Sequence, residues 1–236
     1  GTYLTGIPYN PEYRRRYEQY IKDAQQGKAR DTFAACVPYG VPRMLGDSAV
    51  PFDIIQAPEV MIWYDDYGRT ERRIFLDGRQ HVQVADTDFA EGPTWSGHSI
   101  GHWEGNTLVI DTVNMIVANF DETSAPHSAK LHLVERLRLI DANIIENRMT
   151  FTDPAAFDAP WVVTRYYGRV NAAAKPEADT QKIVHTYLEL NDRPCIPNVR
   201  LDEHGFQVIM LPQEIEAETQ RIRFVPATPA AQEPAR

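Results

Sequence analysis

The feature that most constrains the fold is a succession of short strand-like segments, separated by turn residues, across residues 52–190. Two pairs of these segments are joined by short turns, at Glu104-Gly105-Asn106 and at Asp141-Ala142-Asn143, and such turns are typical of β-hairpins. The predicted strands are 52–57, 60–65, 72–76, 98–103, 107–113, 131–140, 144–152, 161–170 and 182–190. This spacing indicates an all-β barrel or sandwich, because a parallel α/β sheet would need helical patterns between its strands.

The sequence therefore predicts a mainly β fold: an antiparallel, lipocalin-like barrel or bent sandwich with a short N-terminal helix. That helix is expected over residues 9–26, where Pro11 suits a first turn and Gly27 marks the end. A second short helix is predicted over 212–221. The chain then divides into an N-terminal helical arm (1–30), a single β domain (31–225) and a disordered tail rich in Ala and Pro (226–236).

Composition and charge exclude two classes of partner. The net charge is −9, and the basic cluster at residues 14–16 is flanked by Glu12 and Glu18, which is typical of a solvated helix face. A nucleic-acid partner would need clustered basic residues, so none is expected. No apolar run approaches the ~18 residues of a membrane helix, so no membrane span is expected.

Several motifs resemble those of an uncharacterised bacterial family of hypothetical proteins. They are Cys36-Val37-Pro38-Tyr39-Gly40-Val41-Pro42-Arg43, Asp77-Gly78-Arg79, Pro93-Thr94-Trp95-Ser96-Gly97-His98-Ser99-Ile100-Gly101, Trp103-Glu104-Gly105, Thr107-Leu108-Val109-Ile110-Asp111-Thr112, His127-Ser128, Leu131-His132, Glu135-Arg136, Asp153-Pro154 and Pro160-Trp161. The resemblance covers more than half of the chain and departs from the usual pattern at His102 and Asn106. It implies no particular activity. It implies a periplasmic or secreted protein, with a cytoplasmic location as the alternative.

The two cysteines, Cys36 and Cys195, lack the spacing of a zinc or redox motif. They are expected to pair if the protein is exported, which would close a long loop. Two separate buried thiols are the alternative, since free cysteines are often buried.

Successive side chains of a strand point to opposite faces of the sheet, so the predicted strand 131–140 places its candidate acid–base residues on two different faces. His132 and Arg136 share one face, whereas Glu135 lies on the opposite, leucine-rich face. A carboxylate on an apolar face is costly unless it is paired or protonated, and desolvation raises its pKa. Glu135 is therefore a candidate acid or base, and the alternative is a Glu–Arg pair that braces the sheet.

Asp111 is a second carboxylate among apolar residues, on the face of Val109 and Val113. The alternative is that it caps the following loop. His98 and His127 complete the polar set. We expect His98, His127, His132, Asp111, Glu135 and Arg136 to line one concave site, and the face pattern makes Glu135 the first residue to drop from it.

A metal site is not predicted. His98 and His102 are four residues apart, which is ~13 Å on a regular strand and too far for two ligands of one zinc ion. A metal site made of His98, His127 and His132 is the alternative. The Gly97–Gly101 string matches a nucleophile elbow, but the elbow needs a helix after its serine and a strand is predicted there.

Candidate substrate-binding residues are Trp95, Trp161, Arg43 and Tyr64, with core packing as the alternative for the aromatic ones. Without a nucleotide or flavin motif, no cofactor is expected.

The leading hypothesis is a cofactor-independent lyase, dehydratase or isomerase that acts on a small hydrophobic molecule, aromatic molecules included. His98 or His132 is the base, Asp111 or Glu135 the acid or orienting group, Arg136 the anion stabiliser and His127 the reserve base. The alternatives are a lipocalin-like protein that binds a small hydrophobic ligand, and a metal-dependent hydrolase or lyase. A homodimer is left open.

Overall fold

The computed structural model describes residues 6–28, 31, 33–46, 52–65, 70–81, 92–121, 125–169, 199–203 and 207–222. The strands are β1 (Phe52–Gln56), β2 (Val60–Asp65), β3 (Thr70–Phe75), β4 (His98–Glu104), β5 (Thr107–Val113), β6 (His132–Asp141), β7 (Ile144–Thr152), β8 (Trp161–Gly168), β9 (Val199–Leu201) and β10 (Gln207–Ile209). The helices are α1 (Pro11–Gln25) and α2 (Pro212–Ile222), with 3-10 turns at Phe33–Ala35 and Arg43–Leu45. The predicted strand at 182–190 and the predicted tail at 226–236 lie outside the described residues.

Strands β1 to β8 form a curled half-barrel in chain order, so the predicted mainly β fold with a short N-terminal helix is confirmed. Within the described strands, β3 pairs with β4 in parallel through Ile74↔Ser99 and Phe75↔Ile100, and the other pairs are antiparallel. The curl brings the first strand close to the last, where the rings of Phe52 and Tyr167 lie 5.1 Å apart.

Asn10 explains where α1 begins. Its side-chain oxygen accepts the backbone N–H groups of Glu12 and Tyr13, and Pro11 occupies the first turn, where a missing N–H costs nothing. Tyr9, just before the helix, packs against Phe157 in the loop that follows β7. The helix is therefore attached to one end of the sheet.

The half-barrel has one buried face and one outer face, as strand alternation requires. The buried face carries the largest enclosed side chains, among them Trp63, Ile74, Leu108, Ile110, Leu133, Met149 and Phe151. The segment 36–46 covers part of it: Met44 and Leu45 are buried, and the hydroxyl of Tyr167 on β8 donates to the carbonyl of Leu45 at 2.7 Å. Polar and half-buried residues lie on the outer face, which also carries the candidate site.

Trp95 lies just before β4 in the chain and connects the segment 36–46 to this part of the sheet. The backbone N–H of Val41 donates to the Trp95 carbonyl at 2.8 Å, and the N–H of Gly40 donates to the Thr70 hydroxyl at 2.9 Å. Gly40 has a φ of +66°, and a Cβ there would overlap the Trp95 carbonyl. Glycine is therefore required at this contact.

Cys36, which opens this segment, is disulfide-bonded. Cys195 lies outside the described residues. Among the helices of the described ranges, none has the length and apolar character to cross a membrane.

Candidate functional site

Three neighbouring strands present His98 (β4), Asp111 (β5) and His132 (β6) on the outer face. His98 is paired with Val113 and Asp111 with Val134, so Asp111 lies diagonally from both histidines. Diagonal neighbours across a sheet are within reach of long side chains. The Nε2 atom of His132 lies 2.8 Å from Oδ1 of Asp111.

His81, in the coil after β3, connects His98 to this pair. Its Nε2 lies 2.9 Å from Oδ1 of Asp111, and its Nδ1 lies 2.8 Å from Nδ1 of His98. We call these four residues the histidine cluster: His81, His98, Asp111 and His132. His81 was not among the sequence candidates, because strand alternation gives no direction for a side chain in coil.

The cluster moves the pKa values of its two strand histidines in opposite directions. Partial burial, with the nearby His81 and Arg79, lowers the pKa of His98 below its ordinary value. The hydrogen bond to Asp111 raises the pKa of His132, although burial opposes it. Burial favours the neutral form of Asp111, but its bonds to His132 and His81 outweigh this and lower its pKa.

A cavity of about 400 Å³ lies beside the cluster. It is lined by Pro38, Thr70, Glu71, Arg73, Phe75, Thr94, Trp95, Ser96 and Gly97. Phe75 also stacks on His98, with ring centroids 5.6 Å apart, and Gly97 directly precedes His98 in the chain. Phe75 therefore contacts both the cavity and His98, and none of the four cluster residues lines the cavity itself.

Glu135 lies on the opposite, buried face. One of its carboxylate oxygens pairs with Arg72, and the other accepts from Nδ2 of Asn147 at 2.8 Å. Arg72 also donates to Ser99 and Thr112. This is the bracing Glu–Arg pair considered as the alternative, and Glu135 does not join the histidine cluster. Ser99 is fully buried near the start of β4, and that strand is followed by β5 and not by the helix that a nucleophile elbow needs.

His127 is also placed away from the cluster. It is 1% exposed; its Nδ1 lies 2.9 Å from the Ser128 carbonyl, and its Nε2 accepts the N–H of Ala118 at 3.3 Å. Burial lowers its pKa. Both ring nitrogens are used within the fold, so this histidine has a structural role, and the metal set of His98, His127 and His132 is not brought together.

Arg136 shares the outer face with His132, as alternation predicted, but it bonds to Glu104 at 2.6 Å. His102 contacts the same carboxylate at 3.3 Å and is largely exposed. Arg136 and His102 therefore both contact Glu104 at the far end of β4, away from the histidine cluster.

Of the four substrate-binding candidates, two lie at or near the cavity and two are buried in the protein. Trp95 lines the cavity, and Tyr64 faces out opposite Glu71, which also lines it. Trp161 is buried in an aromatic group with Phe120, Phe151 and Phe157. Arg43 is 4% exposed, bonded to Asp31 and stacked over Tyr39, so neither residue has open surface for a substrate.

In the part of the chain that the structure describes, no group of three or more His, Cys, Asp or Glu side chains is arranged to hold a metal ion. Within the cluster, His81 faces His98 with one ring nitrogen and Asp111 with the other, so the nitrogens and the carboxylate do not point to one centre. The absence of a metal stays a prediction.

The chain matches no family model, no curated protein and no solved structure.

Proposed function

We propose that the protein is a cofactor-independent acid–base catalyst, a lyase, dehydratase or isomerase, that acts on a small hydrophobic, aromatic molecule. One observation carries the proposal: His98 and His132 lie on one face, joined through His81 and Asp111, with pKa values moved apart. Two titratable groups tuned in opposite directions at one site are the usual arrangement of a paired base and acid.

The roles follow from the directions of these pKa changes. His98 is neutral near pH 7 and is the base, whereas His132 holds a proton more tightly and is the acid. Asp111 orients His132 and stabilises its charge. In an elimination, His98 would remove a proton from carbon and His132 would protonate the leaving group, so no cofactor is required.

Arg79 takes the anion-stabilising role first expected of Arg136. Its guanidinium lies 3.8 Å from the centre of the Phe75 ring, and its charge is one cause of the lowered pKa of His98. Arg79 also pairs with Asp77, which offsets part of its charge. A negative charge that develops near His98 is thus within the field of this cation.

The cavity supports the substrate class. Its Phe75, Trp95 and Pro38 side chains suit a flat apolar ring, and its volume suits a small molecule. The same cavity favours the second candidate function, binding of such a ligand without turnover.

We also propose that the protein is exported. The disulfide at Cys36 supports this, because disulfides persist in oxidising compartments and are rare in the cytosol.

The test is a panel of small aromatic hydroxy-ketones and hydroxy-acids, incubated with the protein in D₂O and followed by proton NMR for deuterium exchange and elimination. We expect the wild type to exchange or eliminate at least one member, and His98→Gln and His132→Gln each to lose about 10²-fold or more in rate. His102→Gln is the matched control, since it changes an exposed histidine of the same strand. Binding without exchange would select the second candidate, and neither binding nor exchange would reject both.

A further inference from the structure

His81 occupies the centre of the histidine cluster, and both of its ring nitrogens are engaged. Nε2 faces Oδ1 of Asp111 at 2.9 Å, and Nδ1 faces Nδ1 of His98 at 2.8 Å. The His81 side chain is 19% exposed, which makes it more enclosed than the 42% exposed side chain of His132. A histidine that is hydrogen-bonded at both nitrogens can pass a proton between its two neighbours.

The chemistry of the acceptors fixes the hydrogen positions. An ionised carboxylate only accepts, so His81 must donate its Nε2–H to Asp111. Neutral His81 then has a bare Nδ1, which can only accept. The contact with His98 therefore requires His98 to carry its proton on Nδ1, and this leaves Nε2 of His98 with a free lone pair.

We propose that His81 is a positioning residue and proton relay between Asp111 and His98, holding His98 in the tautomer whose Nε2 accepts the substrate proton. This inference rests on the proposed function for the identity of the base. It follows the arrangement of catalytic triads, in which a carboxylate orients a histidine and the histidine acts on the next group.

The proton transfer balances along the relay. The lone pair on Nε2 of His98 forms an N–H bond to the substrate proton, and the substrate C–H bond breaks with its electron pair left on carbon. The N–H bond at Nδ1 of His98 breaks in turn, and its electron pair stays on that nitrogen. The released proton binds Nδ1 of His81. His98 is neutral again, and the positive charge lies on His81, next to the Asp111 carboxylate that stabilises it.

The shared oxygen couples the base to the acid. Oδ1 of Asp111 accepts from both His81 and His132. A positive charge on His81 weakens the attraction that holds the His132 proton, so proton uptake at His98 favours proton release at His132. Among the residues that the structure describes, the other charged groups near His98 are Arg79 and its partner Asp77, and Val113 opposite it on β5 is apolar.

The test measures the tautomer of His98 by long-range ¹H–¹⁵N correlation NMR at about pH 8, above the ordinary histidine pKa of ~6.5. We expect wild-type His98 to be mainly in the Nδ1–H form. The amide of asparagine can place an acceptor near the position of Nδ1, and that of glutamine can place a donor near the position of Nε2. His81→Asn should therefore keep the Nδ1–H form of His98, whereas His81→Gln should release it to the Nε2–H form.

His102→Gln is the control and should leave the His98 spectrum unchanged. A wild-type His98 in the Nε2–H form would overturn the relay without any variant, so the test does not depend on the variants folding. A His98 tautomer that is unaffected by His81→Gln in a folded variant would overturn it as well.

The tautomer needs no substrate, so this result is separate from the proposed function. An Nδ1–H form that responds to His81→Gln upholds the positioning of His98 by His81 even if the substrate panel shows no turnover, in which case the proposed function and the proton transfer fail. If a substrate is found, both His81 variants should lower its rate, His81→Gln by about 10²-fold because the base is no longer oriented. An unchanged rate in both would overturn the role of His81.

Discussion

Glu135 is a carboxylate on the buried face of β6, and its neighbours explain how the sheet tolerates it. Arg72 and Glu135 are both 0% exposed; Arg72 also donates to Ser99 and Thr112, and Glu135 also accepts from Asn147. Among the described residues, Nη1 of Arg72 has no hydrogen-bond partner. A buried pair of this kind is costly to break because one charge is then left without compensation. The pair contributes to the fold by ordering a hydrogen-bonded network of side chains that spans five strands, from β3 to β7.

Breaking this pair should be strongly destabilising. We predict that Glu135→Leu or Arg72→Met alone lowers the free energy of unfolding by about 3–5 kcal/mol, and that the double variant lies much closer to the wild type than the sum of the two. Urea denaturation of the four proteins measures this. The exposed pair Arg138–Glu146 is the control, and Arg138→Met should change little. Additive losses in the double variant would contradict the account.

The His132–Asp111 pair predicts a pH dependence of stability. The folded pKa of His132 is raised, so its contribution is full below its unfolded pKa of ~6.5 and is lost as the pH rises through the folded value. The folded pKa of Asp111 is lowered, so its contribution is full above ~3.9 and is lost as the pH falls through the folded value.

The two contributions are therefore both present between about pH 4 and 6.5. We predict that His132→Gln destabilises the protein most in this window, by about 0.5–1 kcal/mol because the pair is partly exposed, and that the difference shrinks towards pH 9. Denaturation of both proteins across this range checks it. A difference that grows with rising pH would have the wrong sign.

Among the elements, the segment 36–46 is joined to Trp95 by a close backbone contact at Gly40. A Cβ at Gly40 would overlap the Trp95 carbonyl, and the φ of +66° disfavours any L side chain. We predict that Gly40→Ala destabilises the protein by about 2–5 kcal/mol, from backbone strain and overpacking together. Gly105→Ala is the matched control. Gly105 also has a positive φ, +58°, but a Cβ added there would have no atom within 4 Å, so the substitution should lower the free energy of unfolding by only ~1 kcal/mol. Equal losses measured by thermal unfolding would contradict the role of the contact.

The strands and hairpins follow from the sequence because alternation and turn residues are local signals. The hairpin β4–β5 was predicted as 98–103 and 107–113 and occurs as His98–Glu104 and Thr107–Val113. The parallel pairing of β3 with β4 was not predicted, since residues 76–97 between them carry no signal of strand direction. Neither β9 nor β10 was predicted, because each is three residues long.

The site could be predicted in part for the same reason. Alternation placed His132 apart from Glu135, and the structure keeps them on opposite faces. It could not show that Asp111 lies within reach of two histidines, because that depends on the register of three strands. Nor could it identify Arg72 as the partner of Glu135, since 63 positions separate them in the chain.

At the scale of the whole molecule, the disulfide at Cys36 is a constraint on the unfolded chain. We predict that the oxidised protein, unfolded without reductant, shows no titratable thiol, and that reduction lowers the free energy of unfolding by about 2–5 kcal/mol. Ellman titration and denaturation with and without reductant measure both. Two titratable thiols would leave the alternative of separate free cysteines.

The central claim is that the half-barrel holds a base and an acid on its outer face, linked through His81 and Asp111. The most direct measurement is an NMR pH titration of the assigned ring protons of His98 and His132 in the wild-type protein. We predict that His98 titrates below, and His132 above, the ordinary value of ~6.5, because burial disfavours charge on the first and Asp111 stabilises it on the second. If both histidines titrate together near the ordinary value, or in the reverse order, the claim is contradicted.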